Sequence, residues 1–236
     1  MNASVVVGQN NFTDHITGVT STNLGNATIR GMFIDSKGRL IISDAGNGGN
    51  HRVLIWNQVP TTNGRAADLV LGQPDFTSNT ANHGGTRSAK TLHTPGGVYS
   101  DGNKLYIYDG GNGRVLIWNT FPTVNQQAAD VVVGQPDMST STVSCDASHL
   151  VATNNGNAFG LYVYNGKLLV SDHNSRRVLI WNTIPSINGV DADVVLGQPN
   201  MTTCSAPTIS ASSLNSPRGI NVDSQGRLFI ADGSGA

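Results

Sequence analysis

Glutamate is absent from this chain of 236 residues; all fifteen of its acidic side chains are aspartate. Glutamate favours helices, whereas aspartate and asparagine favour turns, so the omission speaks for strands joined by turns. Charge of either sign is scarce. Charged residues make up 12% of the chain and the formal net charge is −1, which removes any electrostatic case for nucleic acid or an anionic membrane surface. No apolar run approaches the roughly eighteen residues of a membrane-spanning helix. The opening MNASVVVGQNN lacks a basic start and a long apolar stretch, so it does not read as a signal peptide. Cysteine occurs only at Cys145 and Cys204. These fall eleven residues after Gly134 and seven after Gly197. Two separate thiols are the ordinary reading, because equivalent points on neighbouring repeats usually lie too far apart to bridge; a disulfide needs the two connectors to fold towards each other.

What is present is repetition. RVLIWN occurs at Arg52–Asn57, Arg114–Asn119 and Arg177–Asn182, 62 and then 63 residues apart, and holds every tryptophan of the chain. Each copy sits among three other short apolar runs. First runs begin at Gly31, Gly97, Gly160 and Gly219. Second runs are RLIISD, KLYIYD, KLLVSD and RLFIAD. Fourth runs are DLVLGQPDF, DVVVGQPDM and DVVLGQPNM, with a further one, VVVGQNNF, opening at Val5. Runs of this length, rich in Val, Ile, Leu and Tyr and bounded by Gly, Asn, Asp and Pro, read as strands. DSKG, SDGN, YNGK and DSQG join the first and second runs and suit tight antiparallel hairpins. Pro60, Pro122 and Pro185 follow each tryptophan by four residues and end the third strand, since proline cannot donate to a ladder.

The expected architecture is therefore all-β, a β-propeller of four-stranded antiparallel blades with about 62 residues per blade. The whole chain reads as one domain, or a segment of a larger propeller. Its units are approximately 30–75, 96–137, 159–200, and 218–236 completed by 4–9. The last blade would still lack a third strand, so a truncated larger protein, a four-bladed ring or an open arc are all compatible with the pattern. An unfinished blade would leave an edge open to self-association. The residues beyond an ordinary blade length fall between the fourth strand and the next first strand, in Ser/Thr/Asn/Ala-rich loops on one face. Loops on a rigid scaffold are where binding tends to reside.

YDGGNGRVLIWN and SDHNSRRVLIWN, preceded by GGVYSDGNKLYI, resemble NHL-repeat blades, here of bacterial type. Asp109 to Arg114 and Asp172 to Arg177 keep the five-residue offset of that signature. Asp44 to Arg52 is eight, through a Gly/Asn insertion in AGNGGNHR. The resemblance covers nearly the whole chain and implies fold more than function. Some propellers of this kind are lactonases or lyases, and the lactonases use a Glu among their metal ligands at the channel mouth.

Repeated residues suit structure and singular ones suit chemistry. Asp44, Asp109, Asp172 and Asp232 are expected to cap turns. Arg52, Arg114 and Arg177 are expected to pair with them, and the tryptophans to pack between blades. Of the six histidines, none shows a zinc-type spacing. His51 falls within the repeat signature and reads as structural; His83, His93 and His149 lie in the variable connectors. The starts of the first strands, which would ring the channel mouth, carry Arg30, His93, Pro95, Phe159, Pro217 and Arg218. That set holds no carboxylate for general-base work. No catalytic, cofactor or metal residue is assigned and no cofactor is called for. The sequence leans away from an enzyme and towards an extracellular or cell-surface binding or scaffold module. Arg30, His93 and Arg218 would meet a protein or glycan ligand. The alternative is a lactonase- or lyase-type propeller enzyme with some metal ligands outside this segment. Asn2, Asn11, Asn26 and Asn200 match the N-glycosylation pattern, which matters only in a glycosylating host.

Overall fold

The computed structural model describes residues 2–25, 29–45, 49–153 and 160–233. Fourteen strands are present among them: β1 (Ile29–Ile34), β2 (Leu40–Asp44), β3 (Arg52–Trp56), β4 (Leu69–Leu71), β5 (Pro95–Ser100), β6 (Leu105–Asp109), β7 (Arg114–Trp118), β8 (Val131–Val133), β9 (Leu161–Tyr164), β10 (Lys167–Asp172), β11 (Arg177–Trp181), β12 (Val194–Leu196), β13 (Pro217–Val222) and β14 (Leu228–Asp232). They form three four-stranded antiparallel sheets, β1–β4, β5–β8 and β9–β12, and a two-stranded sheet, β13–β14. Only single 3-10 turns interrupt them, as the lack of good helix formers leads one to expect.

Register repeats with the sequence. Asp44 lies opposite Arg52, Asp109 opposite Arg114 and Asp172 opposite Arg177. First strands of successive sheets lie side by side, β1 against β5, β5 against β9 and β9 against β13. Within each four-stranded sheet the fourth strand runs back to the end where the first strand begins. The long connectors therefore emerge together at that end, on one face.

The core lies between sheets. Alternate residues of β7 point to opposite faces, as strand geometry requires. Leu116 and Trp118 join Ile41, Val53, Ile55 and Leu71 of the first sheet, while Val115 and Ile117 join Leu168, Val170, Leu179 and Trp181 of the third. Each tryptophan is about 1% exposed. Its indole N–H donates to a carbonyl nine residues on: Arg65 at 2.9 Å, Gln127 at 3.1 Å and Val190 at 2.9 Å. Trp118 and Trp181 thus pack on the preceding sheet, Trp56 packs with Val7 and Leu24, and each ties the turn after its own strand. Burial of a side chain of this size stabilises by about 1.5–3 kcal/mol.

Two expectations are corrected. The opening run at Val5, expected as a strand, pairs with no strand among the described residues. Val7 packs instead on the first sheet's core, and the Val6 amide donates to Asn63 Oδ1 at 2.9 Å. The same bond joins Val70 to Asn125 and Val132 to Asn188. So Val5–Val7 stands against the first sheet as β4 stands against the second and β8 against the third. Second, Cys145 and Cys204 form a disulfide, with Cα atoms 6.1 Å apart. Their connectors belong to adjacent sheets and fold towards each other, so unequal sequence offsets become neighbouring points in space. The Gly/Asn insertion, at 46–48, lies outside the described residues, as do Asn26 and Phe159.

Candidate functional site

The repeated charges hold the scaffold together. Arg114 is fully buried. Its Nε donates to Asp109 Oδ2 at 2.8 Å, its Nη1 to the Met138 carbonyl, and its Nη2 to the Thr91 carbonyl at 2.9 Å. Arg52 binds Asp44 and the carbonyls of Phe76 and Asn23; Arg177 binds Asp172 and those of Met201 and His149. The planar fork of a guanidinium suits this three-way duty. The opposite oxygen of the aspartate takes a backbone amide from the incoming connector: His93 on Asp109 at 2.7 Å and Val151 on Asp172 at 3.0 Å. Asp44 Oδ1 is buried without such a partner; the other groups are occupied and structural.

Glutamine does a related job that the sequence did not disclose. The Gln of each GQ pair donates its amide to a carbonyl seven residues on: Gln9 to Ile16, Gln73 to Thr80, Gln135 to Thr142 and Gln198 to Ser205. Each long connector is pinned by the same bond, so the loop face is built to a common plan. The signal was the identical GQ in all four fourth runs.

Singular residues gather at the connector end of the first and second sheets. Arg30, on β1, is 9% exposed. Its Nη1 is buried without a hydrogen-bond partner, and no carboxylate among the described residues forms an ion pair with it. A buried charge left uncompensated costs several kcal/mol, and burial draws the Arg30 pKa down. His51 faces His93, with ring centroids 5.2 Å apart at 66°. The Thr94 amide donates to His51 Nδ1 at 3.0 Å, which leaves Nε2 as the protonated nitrogen of the neutral ring. Burial pushes the His51 pKa down to about 4, helped by the nearby charges of His93 and Arg30. Burial also lowers the His93 pKa, aided by Arg87 and opposed by Asp109 and a backbone bond to Gly111. At neutral pH both rings are therefore uncharged, and Arg30 and Arg87 supply the positive charge. Thr94 Oγ1 is a second buried polar atom without a partner.

The backbone singles out the same place. The residue before the repeated arginine is left-handed in every sheet: His51 at φ 48°, Gly113 at φ 60° and Arg176 at φ 55°. Glycine takes this conformation freely, whereas a side chain there costs roughly 1–2 kcal/mol. Thr94, β-branched and at φ 47°, is a further outlier. Two strained residues joined by a hydrogen bond, beside a buried unpaired arginine, mark a place where the fold tolerates strain. Sequence reading set His51 aside as structural. Its difference from Gly113 at the same repeat position was the signal available.

Arg30 also lines a recess of about 330 Å³ between the first strands, together with Met32, Phe33, Tyr99, Tyr162 and Asn221. Phe33 and Tyr99 lie 4.8 Å apart between ring centroids, and Tyr99 and Tyr162 lie 5.4 Å apart. One aromatic from each of three successive sheets thus forms a half-exposed row. Of the residues expected at the mouth, His93 lies ring against ring with His51, and Arg30 lines the recess. Pro95 and Pro217 head β5 and β13. Arg218, at the matching place on the last sheet, is exposed and makes no contact within this cluster among the described residues.

No family model matches the chain, and no curated protein matches it. Solved structures do. A selenomethionine-substituted virginiamycin B lyase from Staphylococcus aureus is 11% identical over 88% of this chain, with a TM-score of 0.42; the chain spans 50% of that protein. A glutaminyl cyclase from Myxococcus xanthus is 13% identical over 92% of this chain and 88% of its own length, with a TM-score of 0.31.

Proposed function

We propose that this chain is a binding module of β-propeller type, built from NHL-like blades, and that it recognises carbohydrate in the recess between its first strands. The observation that carries this reading is the row Phe33, Tyr99 and Tyr162, half-exposed at the inner edges of three sheets. Aromatic faces give a sugar ring an apolar surface, and the adjoining Asn221 amide and strand carbonyls supply polar contacts. The recess is small and held by paired strands, so little ordering cost would oppose binding. The Cys145–Cys204 bridge supports placement outside the reducing cytosol, on the cell surface or beyond it.

Isothermal titration calorimetry against a panel of neutral and acidic oligosaccharides tests the reading. Tyr99→Ala and Tyr162→Ala should each weaken the best ligand about tenfold, a loss of roughly 1.4 kcal/mol. Both variants should keep the wild-type circular dichroism spectrum. A panel without a single binder, or affinity untouched by both substitutions, would overturn carbohydrate recognition in the recess.

A further inference from the structure

Arg30, His51, His93 and Thr94 make up a cluster that the scaffold does not use. The arginines of the repeat are each tied to an aspartate and two carbonyls, but Arg30 has a buried nitrogen with no partner. Of the repeat carboxylates, Asp109 takes Asn112, Arg114 and the His93 amide and Asp44 Oδ2 takes Asn50 and Arg52, while Asp44 Oδ1 is buried without a partner and neither aspartate forms an ion pair with Arg30. Electrostatics at this point therefore favour an incoming anion. Its size is bounded by the fixed charge: one buried guanidinium with Arg87 nearby suits a single carboxylate rather than a polyphosphate or nucleic acid. The guanidinium fork matches a planar carboxylate, and a neutral His51 has its Nε2 proton to donate. Thr94 Oγ1 adds a further unpartnered polar group.

We infer that the recess takes an acidic saccharide, with the sugar carboxylate recognised by Arg30, His51 and Thr94 and the sugar rings by the aromatic row. This assignment rests on the carbohydrate reading above and names its chemical class. Arg30 lines the recess together with the aromatic row. His93 stands behind His51, ring against ring, and positions it.

The experiment compares oligogalacturonate with the same oligomer fully methyl-esterified, and with sodium acetate alone, by calorimetry and by NMR of the histidine ring resonances. The charged oligomer should bind at least tenfold tighter than its ester and should shift the His51 and His93 signals. Arg30→Gln should bring the affinity for the charged oligomer down to that for the ester, abolishing the preference. Because Arg30 is buried, the wild-type ring shifts provide a readout that needs no variant. Equal affinity for charged and esterified oligomers would overturn the acidic class and leave carbohydrate recognition standing. Ring shifts with acetate but binding of neither oligomer would overturn both the acidic saccharide and the carbohydrate reading. Binding of the charged oligomer without ring shifts, and unaffected by Arg30→Gln, would place recognition elsewhere and overturn the assignment of these residues.

Discussion

Arg114 and Arg30 differ in whether the fold supplies acceptors for the guanidinium. Arg114 is enclosed by acceptors that belong to three segments, its own sheet and the connectors on either side. Removing it leaves Asp109 buried without its counter-charge and the Met138 and Thr91 carbonyls without this donor. Arg114→Met should therefore destabilise the chain by about 3–5 kcal/mol, read as a lower midpoint in urea denaturation. Arg114→Lys should recover little of this, because an ammonium group on a flexible stem cannot address a carboxylate and two carbonyls in separate directions. Full rescue by lysine would show that charge alone, not the fork, holds the connectors. Arg30 has no such set of protein acceptors, so Arg30→Gln should cost far less stability and act instead on binding. Repetition in the sequence predicted the first role. Sequence reading offered Arg30 as a ligand contact from its place at the start of a first strand, but not its lack of a protein partner, because whether a guanidinium finds one depends on which segments fold around it.

Strands were legible because each rests on local chemistry: β-branched and aromatic runs, Asp-Gly and Asn-Gly turns, and proline after tryptophan. The third strands fall within RVLIWN, and the second strands end on their aspartates as read. The places of Arg30 on β1 and of His93 just before β5 were legible from strand starts alone. His51 was not, because its value lies in a left-handed backbone and a partner 43 residues away. The place of Val5–Val7 was also hidden: its pattern is that of a fourth strand, but its neighbours decide whether it pairs. One element-level device joins these levels. The glycine ending each fourth run is left-handed and sits against a leucine of the following connector: Gly8 on Leu24, Gly72 on Leu92, Gly134 on Leu150 and Gly197 on Leu214. A Cβ at Gly134 would lie 2.6 Å from Leu150. Gly134→Ala therefore combines backbone strain with overpacking and should cost about 2–4 kcal/mol in denaturant titration. Adding Leu150→Ala should relieve the clash without relieving the backbone strain. If the double variant proves no better than the sum of the singles, the leucine contact is not what reserves this position for glycine.

Across the whole molecule, cover is uneven. The second strands β2 and β6 are buried at every residue, whereas β14 is partly exposed throughout and Phe229 is 53% exposed. Two strands bury less than four, so the last sheet depends on its attachments. These are the packing of β13 on β9 and β10, the Asp232 carboxylate on the Asn215 and Ser216 amides, and the disulfide. The bridge closes 59 residues of chain and joins the connectors that lead into the third and fourth sheets. Arg176 donates to the Cys204 carbonyl at 3.3 Å, which fixes the same connector to the third sheet. Constraining a loop of this length stabilises a fold by about 2–4 kcal/mol, chiefly through the unfolded chain. Here part of the effect should also be local, because the tethered connector feeds the least covered sheet. A Cys145→Ser/Cys204→Ser variant should therefore lower the overall melting temperature. In hydrogen exchange it should unprotect β13 and β14 well before β6 and β7. Uniform loss of protection across all four sheets would mean that the bridge acts only on the unfolded chain. Unchanged protection of β13 and β14, with an unchanged melting temperature, would mean that strand packing alone secures the last sheet and that the bridge serves some purpose other than stability.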